Sequence, residues 1–76
     1  MKNYYIVEVY NSDGCRYDTA CLSSLKKAKK FIAGSAYACI IKCNDAIFAT
    51  NKNKWYPVGD YKNIFTGRKC DIFCTL

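Results

Sequence analysis

The first two apolar runs of the chain lie on either side of a short polar turn. Tyr4–Tyr10 is rich in Tyr, Val and Ile, and residues 11–14 read Asn-Ser-Asp-Gly, a strong turn signal. Residues 15–21 return to a strand-like composition. Two such runs around a short turn predict a β-hairpin.

A helical spacing of apolar residues follows this hairpin. Leu25, Ala28 and Ile32 recur at intervals of three and four residues, with Ser24 before them and Gly34 after them. Ser is a favoured N-cap residue, and Gly is favoured just past the C-terminus of a helix. The segment therefore predicts an amphipathic helix of about three turns.

The middle of the chain predicts a second hairpin and a loop. Residues 37–43 and 46–50 are strand-like, and Asn44-Asp45 between them offers a two-residue turn. Residues 51–60 contain Asn, Lys, Pro and Gly and predict a long loop.

The tail predicts a third, weaker hairpin, formed by residues 61–66 and 70–75 and turning at Gly67. Together the elements predict a single domain over residues 1–76 of the α+β class. We expect a small, mainly antiparallel sheet of four to five strands with one amphipathic helix packed on a face, in the order ββαββ plus a C-terminal strand or hairpin.

Composition and the N-terminus bear on the compartment. The chain is 51% hydrophobic and 24% charged, which is typical of a globular domain. It contains no apolar run near the ~18 residues that a membrane-spanning helix needs. Glu8 interrupts the N-terminal apolar stretch, so the pattern does not match a secretory signal. We therefore expect a cytoplasmic protein without membrane association, in a compartment where disulfides are disfavoured.

Six cysteines, four of them in two Cys-x-x-x-Cys stretches at residues 39–43 and 70–74, raise the possibility of a metal site. Residues four apart in a strand lie roughly 13 Å apart. Zinc would need its sulfurs about 3.8 Å apart, so one such stretch on a strand cannot chelate. Alternation instead places each cysteine on a face with apolar companions, which predicts core packing and no metal. An all-thiolate site and disulfide or redox chemistry remain the alternatives.

Catalytic residues are scarce. The chain has no His, which is the commonest general base near neutral pH. Its six acidic residues are scattered singly, and its four glycines are isolated and form no phosphate-binding loop. The sequence therefore predicts a protein that is not an enzyme and has no cofactor.

The helix carries a dense basic group. Its four lysines fall within an arc of about 160° at 100° per residue, opposite the apolar positions. No acidic residue lies between Asp18 and Asp45 to neutralise them. The group is either a solvated face that keeps the protein soluble or a surface for an anionic partner. The candidate binding residues here are Lys26, Lys27, Lys29 and Lys30.

A second basic group lies among aromatic residues later in the chain. Cations interleaved with rings suit single-stranded nucleic acid and suit protein recognition equally well. Trp55 has the further alternative of packing over the open end of the core. The candidate binding residues of this group are Lys52, Lys54, Trp55, Tyr56, Lys62, Arg68 and Lys69.

The formal net charge of +6 favours an anionic partner, either an acidic protein surface or nucleic acid. Two hypotheses follow. The first is a small non-enzymatic binding protein that docks on another protein through its basic and aromatic surface. The second is a small nucleic-acid-binding module that uses the lysine helix and the Trp-Tyr loop. Either could be a monomer or a homodimer, since edge strands can pair between copies.

The layout of residues 4–50, a hairpin, then Ser-Leu-Lys-Lys-Ala-Lys-Lys, then a hairpin, resembles that of small phage-encoded accessory proteins, including anti-CRISPR inhibitors. The resemblance implies an inhibitor that docks on a host nucleic-acid-processing or defence complex in the host cytosol. Many such inhibitors are acidic mimics of nucleic acid, whereas this chain is basic. An inhibitor of this charge would block an acidic protein surface or the nucleic acid of a guide–target channel.

Overall fold

A computed structural model describes residues 2–66 of the chain, apart from the side chains of Tyr17 and Thr66. Within that range the chain forms one antiparallel sheet in the order β2-β1-β3-β4 and one short helix. The elements are β1 (Tyr4–Tyr10), β2 (Arg16–Leu22), α1 (Leu25–Phe31), β3 (Ala38–Ala49) and β4 (Lys54–Thr66). A small α+β domain with a mainly antiparallel sheet is therefore confirmed. The predicted arm at residues 70–75 lies outside the described residues.

The first hairpin forms as predicted, because its turn is stabilised locally. The side-chain oxygen of Asn11 accepts hydrogen bonds from the backbone N–H groups of Asp13 (3.0 Å) and Cys15 (3.1 Å). Gly14 adopts a φ of 85°, a left-handed conformation that glycine tolerates best. Since these contacts lie within five residues, the sequence signal alone is sufficient to specify the turn.

The helix starts as predicted and ends early. Ser24 caps it by accepting a hydrogen bond from the N–H of Lys27 at 3.2 Å. It spans seven residues, about two turns, so the prediction of three turns was too long. Ile32 is the C-cap residue, and the chain turns away through Gly34, whose φ is 84°. Ala28 and Ile32 are buried, as their spacing predicted.

The predicted turn at Asn44-Asp45 was wrong, because β3 continues through both residues. The register of β3 and β4 shifts between Cys43 and Asp45, so Asn44 belongs to a β-bulge. Opposite it, Gly59 has a φ of 78°. A bulge and a turn use the same residue types, and here the long hairpin partner decides between them.

The predicted loop over residues 51–60 was also wrong beyond its first three residues. The turn is confined to residues 50–53, where Asn53 has a φ of 50°, and β4 then runs from Lys54 through Pro57. Proline is compatible with a strand when its missing N–H would face away from a neighbour, as on an edge strand. β4 is an edge strand among those described.

The sheet has two covered faces. Helix α1 packs on β1 and β2, over a cluster that includes Val7, Ala28 and Ile40. The outer half of the β3–β4 hairpin packs against the opposite face through Ala46 and Trp55. The helix makes its main contacts with β1 and β2, and β3 and β4 follow β1 in the sheet. The candidate site lies where residues of α1, β1, β3 and β4 meet.

Candidate anion-binding groove

Three lysines from three different elements line one groove beside the helix. Lys29 comes from α1, Lys42 from β3 and Lys62 from β4. The groove has a volume of about 330 Å³. Its remaining walls are apolar and aromatic and are formed by Tyr5, Leu25, Ile64 and Phe65.

Sheet register brings two of these lysines together. Lys42 is the partner of Tyr5 on β1 and of Lys62 on β4, so the three residues form a row across three adjacent strands. Directly opposed residues project from the same face of a sheet, which here is the helix face. Lys29 reaches the same groove from the margin of the helix. The arrangement therefore depends on contacts that are distant in sequence.

None of the three lysines forms an ion pair with a carboxylate of the described residues. Both ion pairs found among residues 2–66 are made by Glu8, which belongs to the opposite face of the sheet. The acidic residue associated with the groove is Asp60, which is exposed and lines an adjoining cavity together with Lys42 and Lys62. The groove thus concentrates positive charge with little local neutralisation.

An exposed ring lies beside this charge. Phe65 is 41% exposed and Tyr5 is half-buried, and both line the groove. An aromatic ring next to several ammonium groups offers a ligand both a stacking surface and cations.

The four helix lysines that the sequence singled out are all exposed, but they do not line the same cavity. Lys29 lines the groove, whereas Lys27 lines a different cavity with Asp45 and Trp55. Lys26 and Lys30 line neither of these two cavities. The structure therefore brings Lys29 together with Lys62 from the second predicted group.

Most of the second predicted group is engaged within the molecule. Lys54 forms an ion pair with Glu8 at 3.5 Å, and the ammonium groups of Lys52 and Lys54 each lie 5.7 Å from the ring centre of Tyr56. Trp55 is half-buried, as the packing alternative predicted, with its ring centre 5.0 Å from that of Phe48. Arg68 and Lys69 lie outside the described residues.

Glu8 is a buried acid that sequence reasoning missed. It is 1% exposed, and its Oε1 accepts a hydrogen bond from the hydroxyl of Tyr10 at 2.7 Å. Its Oε2 lies 3.5 Å from both Arg16 and Lys54. Arg16 also donates to the carbonyl oxygens of Lys52 (3.2 Å) and Asn53 (2.6 Å), which ties the hairpin turn to β2. The available signal was a single acid inside an apolar strand, Ile6 to Tyr10.

The cysteines follow the core prediction in part. Cys39 and Cys43 are fully buried in the cluster around Ile6 and Ile41, and Cys21 is partly buried against it. Cys15 is exposed and precedes β2, so its predicted apolar face was wrong. The two cysteines after residue 66 are outside the described range. Across the part of the chain that the structure describes, no three potential ligands cluster to hold a metal.

Burial changes the chemistry of two of these thiols. Desolvation raises the pKa of Cys21, with further contributions from Cys43 and Asp45. Desolvation also raises the pKa of Cys43, and backbone hydrogen bonds only partly oppose it. Both thiols are therefore poor nucleophiles near neutral pH.

Five of the seven groove residues were not candidate binding residues in the sequence: Tyr5, Leu25, Lys42, Ile64 and Phe65. The signal for Lys42 was the alternation of β3, in which it follows Ala38 and Ile40 on one face. No local sequence pattern indicated that Lys42 would be paired with Lys62 of β4.

No helix among residues 2–66 has the length and apolar character needed to cross a bilayer. No protein-family model, no curated protein and no solved structure matches the chain.

Proposed function

We propose that this chain is a small non-enzymatic binding protein that takes an anionic partner in the groove of Lys29, Lys42 and Lys62. The observation that carries the proposal is the convergence of three lysines, from three elements, without an ion-pair partner among the described carboxylates.

The stability of the fold gains nothing from this arrangement. Like charges placed directly opposite each other on neighbouring strands destabilise a sheet, and Lys42 and Lys62 are so placed. Local violations of this kind are expected at functional sites, where binding rather than folding selects the residues. An anionic ligand would remove the repulsion on binding.

A catalytic role has weaker support. Among residues 2–66 the most buried carboxylate is that of Glu8, and it is engaged by Tyr10, Arg16 and Lys54. The groove itself is lined by lysines and by apolar and aromatic side chains, which suit binding rather than proton transfer.

The test is retention on a heparin column over a salt gradient. The variant K29Q/K42Q/K62Q lowers the formal net charge from +6 to +3, and so does the control K26Q/K27Q/K30Q. We expect the groove variant to elute at clearly lower salt than the control, because convergent charges bind a polyanion more tightly than dispersed ones. Equal elution of the two variants would reject the groove as the binding site.

A second candidate function is docking on a protein, as expected for an inhibitor of the phage-encoded kind. It is favoured by the exposure of Ile47 (60%) and Phe48 (38%) near the end of the β3–β4 hairpin, next to Lys52 in the turn. Aromatic side chains are enriched at protein interfaces, and the buried core of an interface is more apolar than the rest of the surface. Capture of a specific protein that persists after nuclease treatment and is lost in Ile47→Asp would support this candidate. Capture that is unchanged in Ile47→Asp would count against it.

A further inference from the structure

We infer that the groove binds single-stranded nucleic acid, with phosphates on Lys29, Lys42 and Lys62 and a base stacked on Phe65. This inference rests on the proposed function and names the class of its partner.

The exposed ring of Phe65 is the first reason. A ligand that offered only negative charge would leave a ring that is 41% exposed beside the lysines without a role. Bases of a single strand have π-faces that stack on aromatic side chains while cations neutralise the adjacent phosphates. Phe65 is the partner of Ile40 in the sheet and lies three residues beyond Lys62, so ring and charge are held on one rigid element.

The choice of cation is the second reason. Lysine is depleted at protein–protein interfaces relative to the rest of the surface, so a groove whose cations are all lysines fits an acidic protein poorly. Arg16 is engaged with Glu8 and with two backbone carbonyls on the opposite face. The groove uses lysine alone, which binds phosphate as a point charge.

The exposed ring of Phe65 also favours a single-stranded ligand over a duplex. In a duplex the bases are stacked and paired, so a duplex presents phosphates but no free base to Phe65. Of the side chains that usually read base edges, the lining contains lysine but no Asn, Gln, Arg or acidic residue, and the lysines are assigned to phosphates. We therefore expect a preference for single strands with little dependence on sequence.

The test compares ligands of equal charge on the unmodified protein. A 12-nucleotide oligo-dT and an abasic oligomer of the same length carry the same phosphates, and only the first carries bases. Fluorescence anisotropy at fixed salt is expected to show oligo-dT binding about fivefold or more tightly than the abasic strand. Two further ligands are compared with this pair: a 12-bp duplex, which carries about twice as many phosphates, and a polyglutamate peptide of matched charge. Both are expected to bind more weakly than oligo-dT.

Two variants assign the effect to the ring. Phe65→Leu keeps an apolar side chain but removes the stacking surface. It should lower the affinity for oligo-dT to the affinity for the abasic strand. Phe31→Leu is the matched control, since Phe31 is similarly exposed (37%) and is not among the residues that line the groove. It should leave the preference for oligo-dT intact.

Three other outcomes are decisive. Equal binding of oligo-dT and the abasic strand, still weakened in K29Q/K42Q/K62Q, would overturn the inference and leave the proposed function standing. Tighter binding of polyglutamate than of oligo-dT would assign the groove to an acidic protein. If K29Q/K42Q/K62Q bound every polyanion as well as K26Q/K27Q/K30Q does, the proposed function would fail and the inference with it.

Discussion

Lys42 and Lys62 lie directly opposite each other on the antiparallel strands β3 and β4. Their side chains share the helix face of the sheet with Lys29, and none of the three has an ion-pair partner within residues 2–66. Opposed like charges lower the stability of a strand pair. The lysine pair therefore lowers the stability of the fold while it favours binding of an anion, and substitutions can separate these two effects.

Replacing Lys62 with Glu should stabilise the fold while abolishing binding of anions. The repulsion becomes an attraction to Lys42, and we expect the free energy of unfolding in urea to rise by up to about 1 kcal/mol. The gain should shrink in concentrated salt, because the interaction is partly exposed and is screened. A loss of stability, or a gain that salt leaves unchanged, would contradict this account of the pair.

Asp60 should weaken anion binding in the wild-type protein. It lines the cavity next to the groove together with Lys42 and Lys62. Asp60→Asn is therefore expected to strengthen retention on heparin, whereas Asp18→Asn, which makes the same change of net charge on β2, should have a smaller effect. Equal shifts in the two variants would mean that only net charge matters.

Glu8 should be essential to stability rather than to binding. Truncation to Ala leaves Arg16 and Lys54 without their buried carboxylate, and it should lower the free energy of unfolding by about 3–5 kcal/mol. Glu8→Gln preserves the shape and should cost less. Tyr10→Phe removes the 2.7 Å hydrogen bond and should cost about 1.5–3 kcal/mol.

The control for the Glu8 variants is heparin retention. Glu8 lies on the face opposite the groove. The folded Glu8→Gln variant should therefore elute from heparin at the same salt concentration as the wild type or at a slightly higher one. A strong fall in retention would instead place the anion site near Glu8.

Stability should fall above about pH 9 because of two thiols. Burial raises the pKa of Cys21 and of Cys43 above the ordinary value of 9.0. Well below pH 9 both thiols are protonated whether the chain is folded or unfolded. As the pH rises, the unfolded chain releases these protons first, so the folded state is progressively disfavoured through the raised pKa values.

Urea titrations of the wild type and of C21A/C43A at pH 8 and pH 10, in reductant, test this sign. The wild type should lose more stability between the two pH values than the variant does. Equal losses would show that the buried thiols do not contribute.

The first hairpin and the start of the helix could be predicted from the sequence because their determinants are local. Asn11 and Gly14 form the turn within their own segment, and Ser24 caps the helix three residues before its partner Lys27. The burial of Ala28 and Ile32 follows from helical spacing. Such signals do not need the rest of the fold.

The groove could not be predicted, because it arises from long-range register. Asn44 and Gly59 lie at a bulge where a turn was expected, so β3 and β4 continue past it, and in their register Lys62 lies opposite Lys42. The sequence identified Lys29 and Lys62 as candidates but assigned them to separate surfaces. Their meeting point depends on a pairing that no local pattern encodes.

The bulge itself provides the last prediction, through Gly59. Its φ of 78° lies in the left-handed region, and a Cβ there would come 3.1 Å from the Nδ2 atom and 3.2 Å from the Cβ atom of Asn44. Gly34 has a similar φ of 84° with open space around it. Both Gly→Ala substitutions should cost roughly 1–2 kcal/mol from backbone strain. Gly59→Ala should cost about 1–3 kcal/mol more from crowding.

A second substitution separates the two contributions. Asn44→Gly removes the crowded atoms, so Gly59→Ala made in that background should cost about as much as Gly34→Ala in the wild type, as measured by urea unfolding. If Gly59→Ala were no worse than Gly34→Ala from the outset, the close approach of Asn44 and Gly59 would not constrain the hairpin. The register that brings Lys42 and Lys62 together would then need another cause.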